Sequence, residues 1–85
     1  MFYVYCLQCV DDTERFYIGS TKDLRRRFEQ HNRGENRSTK NHQWRVVYYE
    51  AYINENAARQ REQKLKKHGK VKQALMARIK ESLNS

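Results

Sequence analysis

Proline is absent from the 85 residues, and no internal repeat, low-complexity tract or linker interrupts them. A single domain over 1–85 is therefore expected, with one small core and marginal stability by surface-to-volume scaling. No apolar run approaches the roughly 20 residues of a transmembrane helix, and no basic helix carries the wide Trp, Phe and Leu face of a membrane-surface anchor. Met1 leads directly into Phe2-Tyr3-Val4-Tyr5 without a positive n-region, a long apolar h-region or a small-residue cleavage site, so a cytoplasmic chain is expected. Cysteine is limited to Cys6 and Cys9. This lone C-x-x-C lacks the second pair that a four-ligand zinc site needs. Residues three apart on a strand also point to opposite faces and cannot bridge. Both are read as reduced, partly buried thiols.

Acidic residues are scarce as well. Lys and Arg outnumber Asp and Glu by 18 to 10, leaving a net charge of +8, and such an imbalance favours polyanions. Nucleic acid is the expected partner. Charge kept merely for solubility is the bland alternative.

The pattern of what is present changes period along the chain. Residues 2–9 and 15–20 are rich in aromatic and β-branched types and flank Asp11-Asp12-Thr13-Glu14, which predicts a β-hairpin with a short polar loop. Alternation puts Tyr3, Tyr5 and Leu7 on one face, and an even-sum register brings Tyr17 and Gly19 to the same side. From Asp23 to about Asn32 the period is helical, with Leu24, Arg27, Phe28 and His31 inside roughly a 100° arc. The polar segment 34–41 reads as a loop facing substrate. Residues 44–52 (WRVVYYEAY) predict a third strand, and Asn54 is a good N-cap for a helix to about Lys67. On that helix Ala58, Glu62 and Leu65 fall within about 60°. Gly69 is expected to end it, and Val71, Leu75, Ile79 and Leu83 to mark a last helix.

Five polar residues thus stand where apolar side chains belong: Tyr5, Tyr17, Arg27, His31 and Glu62. Each has a plain explanation taken alone. Tyrosine suits strands, arginine snorkels, a histidine complements a helix C-terminus, and Glu62 can pair with Arg59 or Lys66 along its helix. Together, phenol, guanidinium, imidazole and carboxylate are the groups that metal-assisted phosphodiester hydrolysis requires.

Tyr3-Val4-Tyr5, Tyr17-Ile18-Gly19, Arg27, His31 and Glu62 stand in the order and spacing of the GIY-YIG nuclease domain, and the chain resembles a small stand-alone bacterial member of that superfamily over residues 2 to about 80. The resemblance implies an α+β fold, a three-stranded antiparallel sheet flanked by helices in the order β-β-α-β-α, here with one helix added to give β-β-α-β-α-α. It also implies a DNA endonuclease using a divalent cation, Mg²⁺ or Mn²⁺, selective for nicked, branched or single-stranded DNA in a repair or processing role.

The resemblance assigns roles residue by residue. Glu62 matches the family's metal-binding carboxylate, and one carboxylate with several waters is a normal Mg²⁺ shell. Arg27 faces the scissile phosphate with its planar fork. Tyr5 is the expected general base or water-positioner, Tyr17 holds water or phosphate, and His31 relays a proton or orients Tyr5. The choice of base among these three stays open. Gly19 permits close backbone approach to substrate. Lys64, Lys66 and Lys67 are the options for a further polar contact.

The chain departs from the family pattern at Tyr3, where the first triplet has Gly, and at Val4, where it has Ile. It also lacks a separate DNA-binding module. Binding then rests on Arg25, Arg26, Arg33, Arg37, Lys40, Arg45 and the run Lys64, Lys66, Lys67, Lys70 and Lys72, contacts to phosphate that are salt-sensitive and not base-selective. Double-strand cleavage by so small a unit calls for a homodimer, a protein partner or two successive nicks. The alternative is a non-catalytic nucleic-acid-binding accessory domain that keeps the fold.

Overall fold

A computed structural model describes residues 1–84; Ser85, the last residue of the expected domain, lies outside them. Strands β1 (Phe2–Cys9) and β2 (Phe16–Thr21) form the hairpin, followed by helix α1 (Leu24–Asn32), a 3₁₀ turn over Arg37–Thr39, strand β3 (Trp44–Tyr52), and helices α2 (Glu55–Lys67) and α3 (Gly69–Leu83). The architecture is α+β, a three-stranded antiparallel sheet with three helices in the expected order. Strand order is β2-β1-β3, so the first strand is central and β2 is an edge.

Alternation along β1 divides the core. Val4 and Cys6 join Ile18, Ala58 and Leu65 of α2, and Leu75 and Ile79 of α3 on one face. Tyr5, Leu7 and Cys9 join Trp44 on the other, with Leu24 and Phe28 of α1 packed against them. The two cysteines are therefore free, buried and on opposite faces, as their spacing predicts.

A bulge interrupts the β1–β3 pairing: Cys6 pairs with Tyr48 and Leu7 with Val46, so Val47 is skipped. One extra residue in β3 lets both ends of the strand serve the core. Trp44 and Val46 pack toward α1, while Tyr48 and Tyr52 pack toward α2 and α3. On that second face Glu50 accepts from the Tyr48 and Tyr52 hydroxyls and pairs with Arg61, tying β3 to α2.

Helix starts follow the sequence signals. The Asp23 carboxylate accepts from Arg26 N at 3.1 Å and caps α1, and the Asn54 side chain accepts from Asn56 N and Ala57 N to cap α2. One expectation needs correction. Gly69 does not end α2 but begins α3; the break falls at His68, whose extended backbone separates the helices while its N–H still bonds Lys64 O at 2.9 Å. One extended residue suffices to swing α3 back so that Leu75 and Ile79 reach Val4 and Cys6. Within the polar segment 34–41, Asn36 caps a 3₁₀ turn through Ser38 N and Thr39 is wholly buried, while Glu35, Arg37, Ser38, Lys40 and Asn41 are exposed.

Candidate active site

Gly19 sits directly opposite Tyr5 across the hairpin. A Cβ at position 19 would lie 2.5 Å from Tyr5 Oη and 2.7 Å from its Cζ, distances no packed side chain tolerates. Gly19 thus permits the close approach of the Tyr5 ring.

With its ring seated there, Tyr5 places Oη 2.8 Å from His31 Nε2. The other imidazole nitrogen, Nδ1, lies 2.7 Å from Thr39 Oγ1. Tyr5 is 2% exposed and His31 and Thr39 are fully buried, so the line is shielded from solvent. Its polarity follows from its far end. The Thr39 hydroxyl donates to Asn36 O at a long 3.4 Å, so it accepts from Nδ1–H, and Nε2 is left to accept the Tyr5 phenol. Burial, helped by the Arg27 charge, lowers the His31 pKa and keeps the ring neutral near pH 7. Burial also raises the Tyr5 phenol, with Tyr17 and Glu62 adding to the effect and Arg27 opposing it. A protonated phenol donating to a neutral imidazole satisfies both groups.

A second half of the site is built around Glu62. Its Oε1 accepts from Ser20 Oγ at 2.5 Å and its Oε2 from Lys66 Nζ at 2.8 Å. Burial pushes this carboxyl up, but the hydrogen bonds from Lys66 and Ser20 and the Lys66 and Arg59 charges outweigh it, and the net direction is down. Ser20 is paired with Val4 and so lies on the α2 side of the sheet, whereas Tyr5 and Tyr17 lie on the α1 side. The halves meet around the free edge of β2. Lys66 Nζ stands 5.6 Å from the Tyr17 ring centroid, and that ring lies 4.8 Å from His31 and 6.4 Å from Tyr5.

Beside this junction is a cavity of about 480 Å³ lined by Ser20, Lys22, Arg26, Arg27 and Arg59 among others. Among the described residues no carboxylate pairs with Arg27, which leaves its guanidinium for an incoming anion.

The basic residues divide. Arg26 and Arg27 line the cavity and Lys66 reaches Glu62; Arg25 lines a neighbouring groove. Arg33 is paired with Glu35, and Arg45 donates twice to Gln8 Oε1. Arg37, Lys40, Lys64 and Lys67 are exposed. The lysine run does not form one face: Lys70 lines a cleft between α2 and α3, and Lys72 another beside Glu14 and Lys80.

Sequence reasoning missed Ser20 and Thr39. Ser20 was within reach of the alternation that places Ile18 toward α2, since both share that face. Thr39 left no periodic signal, because its burial depends on the fold of the α1–β3 connection.

An edge strand is thus wrapped by a buried phenol–imidazole line on one side and a carboxylate on the other. A family profile described as the GIY-YIG catalytic domain matches residues 1–74, and the chain belongs to the GIY-YIG family. It is 34% identical over 77 residues to a UPF0213 protein of Haloquadratum walsbyi (strain DSM 16790 / HBSQ001), a match covering 88% of this chain and 84% of that protein. No solved structure matches it. The domain is of nuclease type, and family nucleases act on DNA and generally use divalent metal ions. No helix among the described residues is long and apolar enough to cross a membrane.

The residues present fit such an ion. Among the described residues no group of three or more His, Cys, Asp or Glu could hold a metal, so Glu62 would be the protein ligand with water completing the shell, the arrangement Mg²⁺ favours. The carboxylate already holds one cation, the Lys66 ammonium, at its free oxygen.

Proposed function

We propose that this chain, acting as a single domain over 1–85, is a metal-dependent endonuclease that hydrolyses DNA phosphodiester bonds, selective for nicked, branched or single-stranded DNA in a repair or processing role. The observation that carries this reading is the buried Tyr5–His31–Thr39 line, with the Arg27 charge acting on both Tyr5 and His31, because a purely DNA-binding surface has no use for a buried chain of proton-carrying groups.

Tyr5 takes a proton from the attacking water while handing its own to His31 Nε2, so that no free phenolate is required. His31, held neutral and oriented by Thr39, is the acceptor. This assigns the base to the Tyr5–His31 pair and leaves Tyr17 to hold the water by hydrogen bonding. Arg27 donates to the non-bridging phosphoryl oxygens as charge builds there. Bound at Glu62, Mg²⁺ or Mn²⁺ would supply Lewis acidity toward the phosphate. With a cation at Glu62, Lys66, which now pairs with that carboxylate, would be available to a DNA phosphate.

The test is incubation of the purified chain with duplex, single-stranded, nicked and branched DNA plus Mg²⁺ or Mn²⁺, beside Glu62→Gln. Cleavage abolished by the substitution supports the enzyme. Retarded mobility without cleavage under either metal would replace it with the accessory binding domain.

A further inference from the structure

Tyr3 departs from the family's glycine, and its ring does not enter the core. It meets Tyr49 of β3 with centroids 5.9 Å apart and planes 68° from each other. Tyr49 is 57% exposed, an unusual state for a large ring on a strand. Tyr49 is the β3 partner of Tyr5 and Tyr3 lies two residues before Tyr5, so both rings stand on the same face of the sheet as the proton path. Two residues along a strand span about 7 Å, close to the reach of one nucleotide of extended single strand.

The groove that holds the pair is also lined by Lys22, Asp23 and Arg25. Lys22 and Asp23 line the Arg27 cavity too, so groove and cavity adjoin at these two residues. The carboxylate of the groove, Asp23, is engaged in capping α1, and Glu55 of the cavity pairs with Arg59. What remains open is two phenol rings meeting at a corner with basic side chains beside them, the combination that binds a base and its phosphate together.

We propose that Tyr3 and Tyr49 form a stacking platform for an unpaired base adjoining the phosphate held at Arg27. This deepens the endonuclease reading and rests on it for the position of that phosphate. A base inside a duplex has both faces covered by its neighbours and cannot use the platform. The platform therefore selects single strands, flaps and frayed ends over continuous duplex.

The experiment is a titration in EDTA of the full chain into an oligonucleotide carrying 2-aminopurine, read by fluorescence quenching and anisotropy, with a duplex of the same sequence alongside. Tyr49→Leu and Tyr3→Leu should each weaken single-strand affinity about five- to a hundredfold and abolish the quenching, while duplex affinity stays put. Tyr49→Phe, which keeps the ring, should retain both. Circular dichroism checks that the variants fold, and the exposed Tyr49 position tolerates leucine in any case.

Equal single-strand affinity in wild type and Tyr49→Leu overturns the platform. So does light scattering that shows a dimer lost in Tyr49→Leu with strand binding unchanged, because the rings then belong to an interface between copies. Binding in EDTA needs no turnover, so the two readings fail separately. Quenching lost in Tyr49→Leu, in a chain that cuts nothing under any metal, keeps the platform and removes the nuclease.

Discussion

Replacing Thr39 by valine keeps the shape of the side chain and removes one oxygen, the acceptor 2.7 Å from His31 Nδ1. His31 is fully buried, so no solvent can replace it. Two responses are open to the ring. If Nδ1–H stays, a buried donor goes unsatisfied at a cost of about 1–3 kcal/mol. In a chain of 85 residues that lowers Tm by about 5–20 °C. If the proton moves to Nε2, the ring instead donates to Tyr5 Oη and can no longer take the phenol proton.

In that second case the competent tautomer must be recovered at a similar cost for each turnover, which slows cleavage about ten- to a hundredfold. Nitrogen-15 NMR of the imidazole in the absence of DNA reports which nitrogen is protonated, and single-turnover cleavage with Mg²⁺ reports the rate. Thr39→Ser returns the hydroxyl and should restore both. A Thr39→Val protein with the wild-type rate and an unchanged Nδ1–H would refute the proton path, since the line would then be ornamental to the chemistry.

Three further outcomes follow from the same geometry. Gly19→Ala should cost about 1–3 kcal/mol in urea denaturation and abolish cleavage, because its Cβ and the Tyr5 hydroxyl compete for one place; an alanine variant of wild-type stability would refute that packing. Lys66→Met should tighten Mn²⁺ binding about two- to fivefold by calorimetry, removing a competing cation from a partly exposed pair, and weaker binding would instead make Lys66 a helper of the metal. Because the folded His31 pKa lies below its ordinary 6.5, the unfolded chain binds more protons between the folded value and 6.5, and stability rises with pH across that window. Thermal melts should therefore show Tm climbing as pH approaches 6.5 and levelling above it, and His31→Asn should flatten that rise.

The sequence was most legible where one period governs one element. The even-sum register of the hairpin is observed, with Tyr5 opposite Gly19 and Leu7 opposite Tyr17. The helical stripe of Leu24, Phe28 and His31 faces the core. Ala58 and Leu65 are buried with Glu62 half-buried between them. Periodicity assigns a face to each side chain but says nothing of which face meets which. It therefore could not reveal that Glu62 and Tyr5 belong to opposite sides of the sheet and join only around β2, a relation that exists because β2 is an edge. Position 69 misled for a related reason. Glycine signals a helix end when it supplies a left-handed residue, and here the turn is made by an extended His68 instead.

The two halves of the site differ in what they must do, and their packing differs accordingly. On the α1 side Tyr5, His31 and Thr39 are buried and matched, and among the described residues no buried side-chain nitrogen or oxygen lacks a partner. A satisfied network in a dry core is rigid, which suits a proton transfer that fails if donor and acceptor drift apart. On the α2 side Glu62 and Lys66 are partly exposed, at 21% and 47% of the side chain, and among the described residues Arg27 of α1 has no carboxylate partner. Under the proposed reading those groups would exchange partners as cation and phosphate arrive, and a locked network there would oppose binding. The small core can support both because it stiffens only one: Gly19, His31 and Thr39 fix Tyr5, while the open edge of β2 leaves the groups for cation and phosphate free to rearrange.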